Sequence, residues 1–198
     1  MDKKKVLIVG GSSGLGIHIT KLYLNKNYSV ISISRKINPK LKKNVKQIIC
    51  DVSNLDKLKE VLKKLKRDKI SFDIIIHNVG GSQKIYEHDV DYKSYELVWK
   101  SNLGYIVEIN NHFVPYMRKK RWGRIVHVSS SAAYNYSAPS PYSSAKSALN
   151  TYVSSISRRL IKDKIVVSCI CPGPIELPKR YMTISSIDLI FFFFALIF

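Results

Sequence analysis

The chain of 198 residues is long enough for one domain with a sizeable core and cramped for two. A hydrophobic content of 45% with 24% charged residues excludes a disordered or collagen-like chain. The net charge of +19 raises the question of an anionic partner, yet the lysines are spread over nearly every helix and loop and no nucleic-acid-binding motif occurs, so we read a compositional bias and no nucleic acid as partner.

Cys50, Cys169 and Cys171 each sit beside apolar, strand-like residues. They do not form a disulfide framework, and the C-x-C pair lacks further metal-ligand partners, so no metal is expected. The opening "MDKKKVLIVGG" turns into a strand too soon for a secretory h-region, and a reducing cytoplasm is the expected setting.

In chain order, "KVLIVG" (5–10) is a continuous apolar run of the kind found in strands buried on both faces. A glycine-rich turn follows, then a helical stretch to about Lys26. "YSVISIS" (28–34) and "VKQIIC" (45–50) read as the second and third strands, joined by a basic loop. Residues 53–67 place Leu55, Leu58, Leu62 and Leu65 at helical spacing behind an N-cap, Ser53 or Asn54. "FDIIIHN" (72–78) is the fourth strand. A long helical region runs from about Tyr92 to Lys120 with a break near Ser101–Asn102. "GRIVHVSS" (123–130) is the fifth strand, residues 142–162 the next helix, and "KIVVSCIC" (164–171) the sixth strand. This alternation predicts an α/β fold, a doubly wound parallel sheet with right-handed crossovers.

The turn after the first strand, "GGSSGLG", has glycines at 10, 14 and 16. A tight turn, close backbone approach and a helix N-terminus are what a nucleotide phosphate requires. From Ile17 to Cys50 no acidic residue occurs, so none is present to hold a ribose 2′-hydroxyl. Ser34 and Arg35 stand at the end of the second strand instead, where an arginine can pair with a 2′-phosphate. NADP(H) is therefore expected over NAD(H). Further on, "PYSSAKSAL" sets Tyr142 and Lys146 four positions apart, on one helical face. A phenol titrates near 10, and a neighbouring ammonium is expected to lower that value toward neutrality.

With these motifs in order, the chain resembles the classical short-chain dehydrogenase/reductases, over residues 4 to about 178, and is similar to 3-oxoacyl-acyl-carrier-protein reductases. "GGSSGLG" looks like their glycine turn, "HNVG" (77–80) like their NNAG motif with His77 for the first asparagine, "YSSAK" like the YxxxK signature and "CPGP" like the PG motif. The resemblance implies a Rossmann-type sheet of strand order 3-2-1-4-5-6. It implies cofactor contacts from Gly10, Ser12, Ser13, Gly14, Leu15 and Gly16 at the pyrophosphate. Asp51 and Val52 would stand at the adenine, Asn78, Val79 and Gly80 along the adenosine wall, and Pro172, Gly173 and Ile175 beside the nicotinamide. Tyr142 would be the general acid, Ser130 (alternatively Ser129) would orient the substrate oxygen, and Lys146 would tune Tyr142 and hold the ribose. Asn102 would support a water relaying protons to Lys146. His77 and His127 are expected to be core histidines.

After Met182 the sequence becomes "TISSIDLIFFFFALIF", in which the run from Leu189 to Phe198 falls short of the about 20 apolar residues a membrane-spanning helix needs. We expect one domain over 1–178 and an atypical apolar tail over 179–198. The seventh strand and substrate flap usual in such proteins would be missing, or the tail would replace the strand. Three origins stay open for the tail: a truncated or disrupted frame, a short natural form, or contact with a membrane or partner. The expected function is reduction of a carbonyl, a 3-oxoacyl thioester or similar ketone, free or carrier-protein-bound, in a dimer built on helices near 103–120 and 142–162. The alternative is a cofactor-binding remnant with little turnover.

Overall fold

Six parallel strands form the centre of the molecule: β1 (Lys5–Val9), β2 (Ser29–Ser34), β3 (Val45–Ile49), β4 (Ile74–His77), β5 (Gly123–Val128) and β6 (Ile165–Ile170), in the order β3-β2-β1-β4-β5-β6. The computed structural model describes residues 3–41, 45–135 and 138–173. The expected strand order is the observed one. Ile175, the boundary at 178 and the apolar tail all lie outside the described residues.

The strands pair in register across the sheet, Val6 with both Val30 and Ile74, and His127 with both His77 and Cys169. Because successive side chains point to opposite faces, one apolar run supplies two cores. Leu7, Val9, Ile33, Ile75, Ile125 and Val167 face α2 (Leu55–Arg67), α4 (Tyr105–Lys120) and α6 (Ser140–Leu160). Val6, Ile8, Ile74, Ile76, Val126 and Ile170 face α1 (Gly14–Asn25), with Leu15, Ile19 and Tyr23 packed against them.

The helices start and stop as their sequences direct. Asn54 caps α2 by accepting from the Lys57 amide at 3.1 Å, and Leu58, Leu62 and Leu65 are buried below a lysine-rich outer face. α3 (Tyr92–Trp99) is capped by Asp91, which accepts from Ser94 N at 2.9 Å. It runs into a π-turn over Lys100–Gly104 before α4 continues, so the expected break is a widened turn within one continuous helical path. α5 (Ala132–Asn135) is a single turn. α6 begins two residues earlier than expected because Pro141 serves its first turn, where a missing N–H costs nothing. No helix among the described residues is long and apolar enough to cross a membrane.

Candidate active site

All six strands deliver their C-terminal ends to one edge of the sheet, and a cavity of about 1130 Å³ lies there. At one end is the glycine turn. Gly10 takes φ +90° and Gly14 φ +52°, both left-handed, and a Cβ on Gly10 would stand 2.9 Å from a Val79 methyl. A Cβ on Gly16 would collide with the Gly10 carbonyl oxygen. Gly16 therefore does not line the cavity; it lets α1 cross directly behind the turn. Thr20, fully buried one helical turn on, donates its hydroxyl to the carbonyls of Gly11 (2.9 Å) and Gly16 (2.8 Å) and ties the two together. Ser13 precedes α1 without a side-chain cap, which leaves the first amides of the helix facing the cavity mouth. A glycine cradle closed to any Cβ, with an uncapped helix start beyond it, fits a pyrophosphate.

The middle of the cavity is walled by Asp51 and Val52 after β3 and by Asn78, Val79 and Gly80 after β4. Asn78 Nδ2 donates to the Gly10 carbonyl at 3.2 Å, and Tyr105 Oη to that of Val79 at 2.9 Å. The segment after β2 folds back over the same end. Asn38 Nδ2 donates to the Ser12 carbonyl at 2.7 Å, and Gln47 and Asn38 exchange two further bonds of 2.7 and 2.9 Å. Lys36 and Lys40 thereby join Arg35 and Ser34 on the cavity wall. Thr20 and Lys40 were not singled out from the sequence; for Lys40 the spacing of Asn38 and Gln47 was the available signal.

At the far end the structure gathers Ser130, Tyr142, Lys146 and Gly173. Ser130 hydrogen-bonds the Tyr142 phenol, while Ser129 Oγ turns away to the Lys146 carbonyl at 3.4 Å. Of the two candidate serines, Ser130 is the one that meets the tyrosine. Lys146 is 2% exposed; its Nζ donates to the Val128 carbonyl at 2.9 Å and lies 5.7 Å from the Tyr142 ring centre. Among the described residues no carboxylate pairs with it, and burial holds its pKa down to about 8. Tyr142 is pushed up from the ordinary phenol value by burial, against which the Ser130 hydrogen bond acts downward. This corrects the expectation of a lowered phenol: desolvation dominates, and Lys146 spends its amine on a carbonyl.

Asn102 does not line the cavity. It is buried within the π-turn, where its Oδ1 accepts from Gly81 N at 3.0 Å and its Nδ2 donates to Gly81 O at 2.9 Å and Val98 O at 2.8 Å. Its effect reaches the cavity through Gly80, whose Cβ, if present, would stand 2.7 Å from Asn102 Oδ1 and 2.8 Å from Lys146 Nζ. Pro172 is likewise set back, accepting from Ser131 N at 2.9 Å. Beyond Gly81, Gln83 and Lys84 hold consecutive left-handed conformations (φ 57° and 66°), closed by Ile85 N to Ser82 O at 3.0 Å, and Gln83 faces the cavity. Such a pair is unusual without glycine.

A family model for short chain dehydrogenases matches residues 4–185. The chain belongs to that family. As a short-chain dehydrogenase it is an oxidoreductase of CH–OH and C=O groups that works with a nicotinamide dinucleotide. Among its relatives, a 3-oxoacyl-(acyl-carrier-protein) reductase of Buchnera aphidicola subsp. Schizaphis graminum is 31% identical over 183 residues, covering 89% of this chain and 75% of the relative. An NADP-dependent 3-hydroxy acid dehydrogenase of Schizosaccharomyces pombe is 27% identical, covering 89% and 73%. Among solved structures, a short-chain dehydrogenase from Leptospira borgpetersenii with bound NAD+ superimposes with TM-score 0.87 at 21% identity, over 100% of this chain and 86% of that one. L-sorbose reductase of Gluconobacter frateurii with NADPH and L-sorbose gives TM-score 0.80 at 23% identity, over 90% and 72%.

Proposed function

We propose that this short-chain dehydrogenase is an NADPH-dependent carbonyl reductase acting on a 3-oxoacyl thioester or similar ketone. The observation that carries the reading is the convergence of Ser130, Tyr142 and Lys146 at one end of a cavity whose other end is a glycine cradle. The dinucleotide, when bound, supplies the hydride. Tyr142 gives its proton to the substrate oxygen. Its raised pKa keeps it protonated at neutral pH, the state reduction needs. Ser130, already bonded to the phenol, donates to the same oxygen and fixes its direction. Lys146 holds the nicotinamide ribose and, as an ammonium, eases proton loss from Tyr142. Asn102 fixes the Gly80–Gly81 wall against Lys146 and supports a water that relays protons there.

The preference for NADPH rests on Ser34, Arg35, Lys36 and Lys40 at the adenosine end, a set of donors suited to a 2′-phosphate. That the Buchnera relative is a 3-oxoacyl-(acyl-carrier-protein) reductase and the Schizosaccharomyces relative a 3-hydroxy acid dehydrogenase supports the substrate class. Residues 1–178 form one domain in this reading, with 179–198 as a tail. The three free cysteines suit a reducing cytoplasm, and self-association through α4 and α6 would make a dimer.

The test is NADPH oxidation by the purified protein with acetoacetyl thioester and simple ketones, alongside Tyr142→Phe and with NADPH binding followed by fluorescence. We expect turnover in the parent, loss of about three orders of magnitude in the phenylalanine variant, and retained binding in both. Binding without turnover across the panel would leave a cofactor-binding remnant. No binding by folded protein would remove the cofactor assignment itself.

A further inference from the structure

Two thiols stand behind the catalytic helix. β6 carries Cys169, and Cys171 follows one residue beyond its end, on the same face because residues two apart along a strand share one. Both converge on a single acceptor of α6, Asn150 Oδ1, at 3.3 Å from Cys169 Sγ and 3.7 Å from Cys171 Sγ. The thiols also hydrogen-bond each other, and the Tyr134 phenol bonds Cys171. Both residues are half-buried rather than sealed, and both thiols are free. Two strand positions span about 6.6 Å between Cα atoms, at the long end of the disulfide range. The carbonyls on either side of Cys171, those of Ile170 and Pro172, accept from Ser129 N at 2.8 Å and Ser131 N at 2.9 Å, so closing that gap bends a held backbone and strains the link.

We propose that Cys169 and Cys171 form a modification site, a reversible dithiol–disulfide couple closed by a small disulfide of the glutathione class. The two thiols are unequal. Burial and its neighbour push Cys169 up to about 12, and the Tyr134 phenol bonds Cys171. Cys171 therefore attacks first. Its thiolate displaces one thiolate from the small disulfide and leaves a mixed disulfide on Sγ. That removes the charge repelling ionisation of Cys169, whose thiol then gives its proton to the released thiolate. Cys169 attacks Cys171 Sγ and expels the second small thiolate, which takes up the proton that Cys171 had lost to water. Two protein thiols become one disulfide, and one small disulfide becomes two thiols.

The bond would bind the chain end of β6 to itself. Pro172 and Gly173 follow immediately, one bonded to Ser131 and the other on the cavity wall. Closure draws them away from Ser130 and is expected to weaken NADPH binding roughly tenfold. This consequence rests on the proposed function; the thiol chemistry does not. A strained link of this kind is also readily reduced.

The experiment incubates the full chain with oxidised glutathione and reads the intact mass, the free thiols and NADPH binding, before and after dithiothreitol. We expect a loss of about 2 Da with no adduct, the link mapping to residues 169 and 171, and reversal by dithiothreitol. Cys169→Ser should instead accumulate a stable adduct at Cys171, and Cys171→Ser should react at least about tenfold more slowly. Three free thiols after treatment, or a lasting glutathione adduct in the parent chain, would overturn the proposal, and this holds even if a serine variant does not fold. A closed disulfide with unchanged NADPH binding would overturn its coupling to the cavity. Absence of NADPH binding in the reduced protein would instead count against the proposed function.

Discussion

Tyr142 and Lys146 show that a motif fixes the identity of a pair without fixing its electrostatics. Spacing alone placed them on one helical face. The sign of the phenol shift was decided by the depth at which that face packs, and by a carbonyl, Val128, from a strand far away in sequence. One consequence is a pH dependence. With Lys146 at about 8, its ammonium form predominates below that pH and is lost above it. kcat/KM for carbonyl reduction should therefore fall on the alkaline side with an apparent pKa near 8. Lys146→Arg should carry that limb to higher pH, since a guanidinium stays charged. A profile flat to pH 10 in the parent would mean that Lys146 does not act as a cation. Thr20 shows the opposite kind of difficulty at this scale: a threonine one turn into a helix is unremarkable in sequence, and only the crossing of α1 behind Gly10 gives its hydroxyl two carbonyls to bridge.

At the scale of elements, β4, β5, α4 and α6 enclose a polar cluster inside an apolar layer. His77 Nε2 lies 2.9 Å from Asn110 Oδ1, and Asn110 Nδ2 lies 3.4 Å from His127 Nε2 and 3.2 Å from Tyr152 Oη. His127 Nδ1 faces the Ser168 carbonyl at 3.2 Å. The carboxamide orders the protons: His77 carries its hydrogen on Nε2, His127 on Nδ1, and both rings are neutral, stacked with centres 4.9 Å apart. Burial holds His77 down to about 4 and His127 well below its usual value. The unfolded chain thus binds protons that the folded one refuses. Stability is complete above pH 6.5 and falls as the pH drops toward 4, by about 3 kcal/mol from His77 alone. His77→Asn, which keeps a donor for Asn110, should flatten the dependence of melting temperature on pH across that interval. Equal slopes in the two proteins would show that the cluster takes no part in acid sensitivity. The sequence supplied the strands and the expectation of core histidines, but the pairing of His77 with His127 needs the register between β4 and β5.

For the whole molecule, six strands and the principal helices were legible because each is a long apolar or amphipathic run, and the strand order followed from the resemblance. The meaning of the +19 charge was less legible, since a lysine count does not say which lysines meet. Folding selects Arg35, Lys36 and Lys40 and turns them onto one cavity wall, using the Asn38–Ser12 bond as the latch. Binding of NADPH should then weaken with ionic strength several-fold between about 0.02 and 0.5 M salt, and more steeply than binding of NADH. Titration of both dinucleotides over that range checks it, and parallel slopes would dissociate the basic wall from the 2′-phosphate.

The parallel sheet also imposes an order in time. Val6 of β1 must pair with Val30 on one side and Ile74 on the other, so the central strand keeps an open edge until the chain has been made past β4. During synthesis the first three strands emerge with α1 as a half-sheet whose other face, with Leu7 and Val9, is uncovered, and the wall opposite the glycine turn arrives later with Asn78. Such distant pairings fold slowly and leave apolar surface in contact with other chains meanwhile. The yield of folded protein in a cell should thus depend on chaperones that shield this half-sheet, before any dinucleotide has a site to enter.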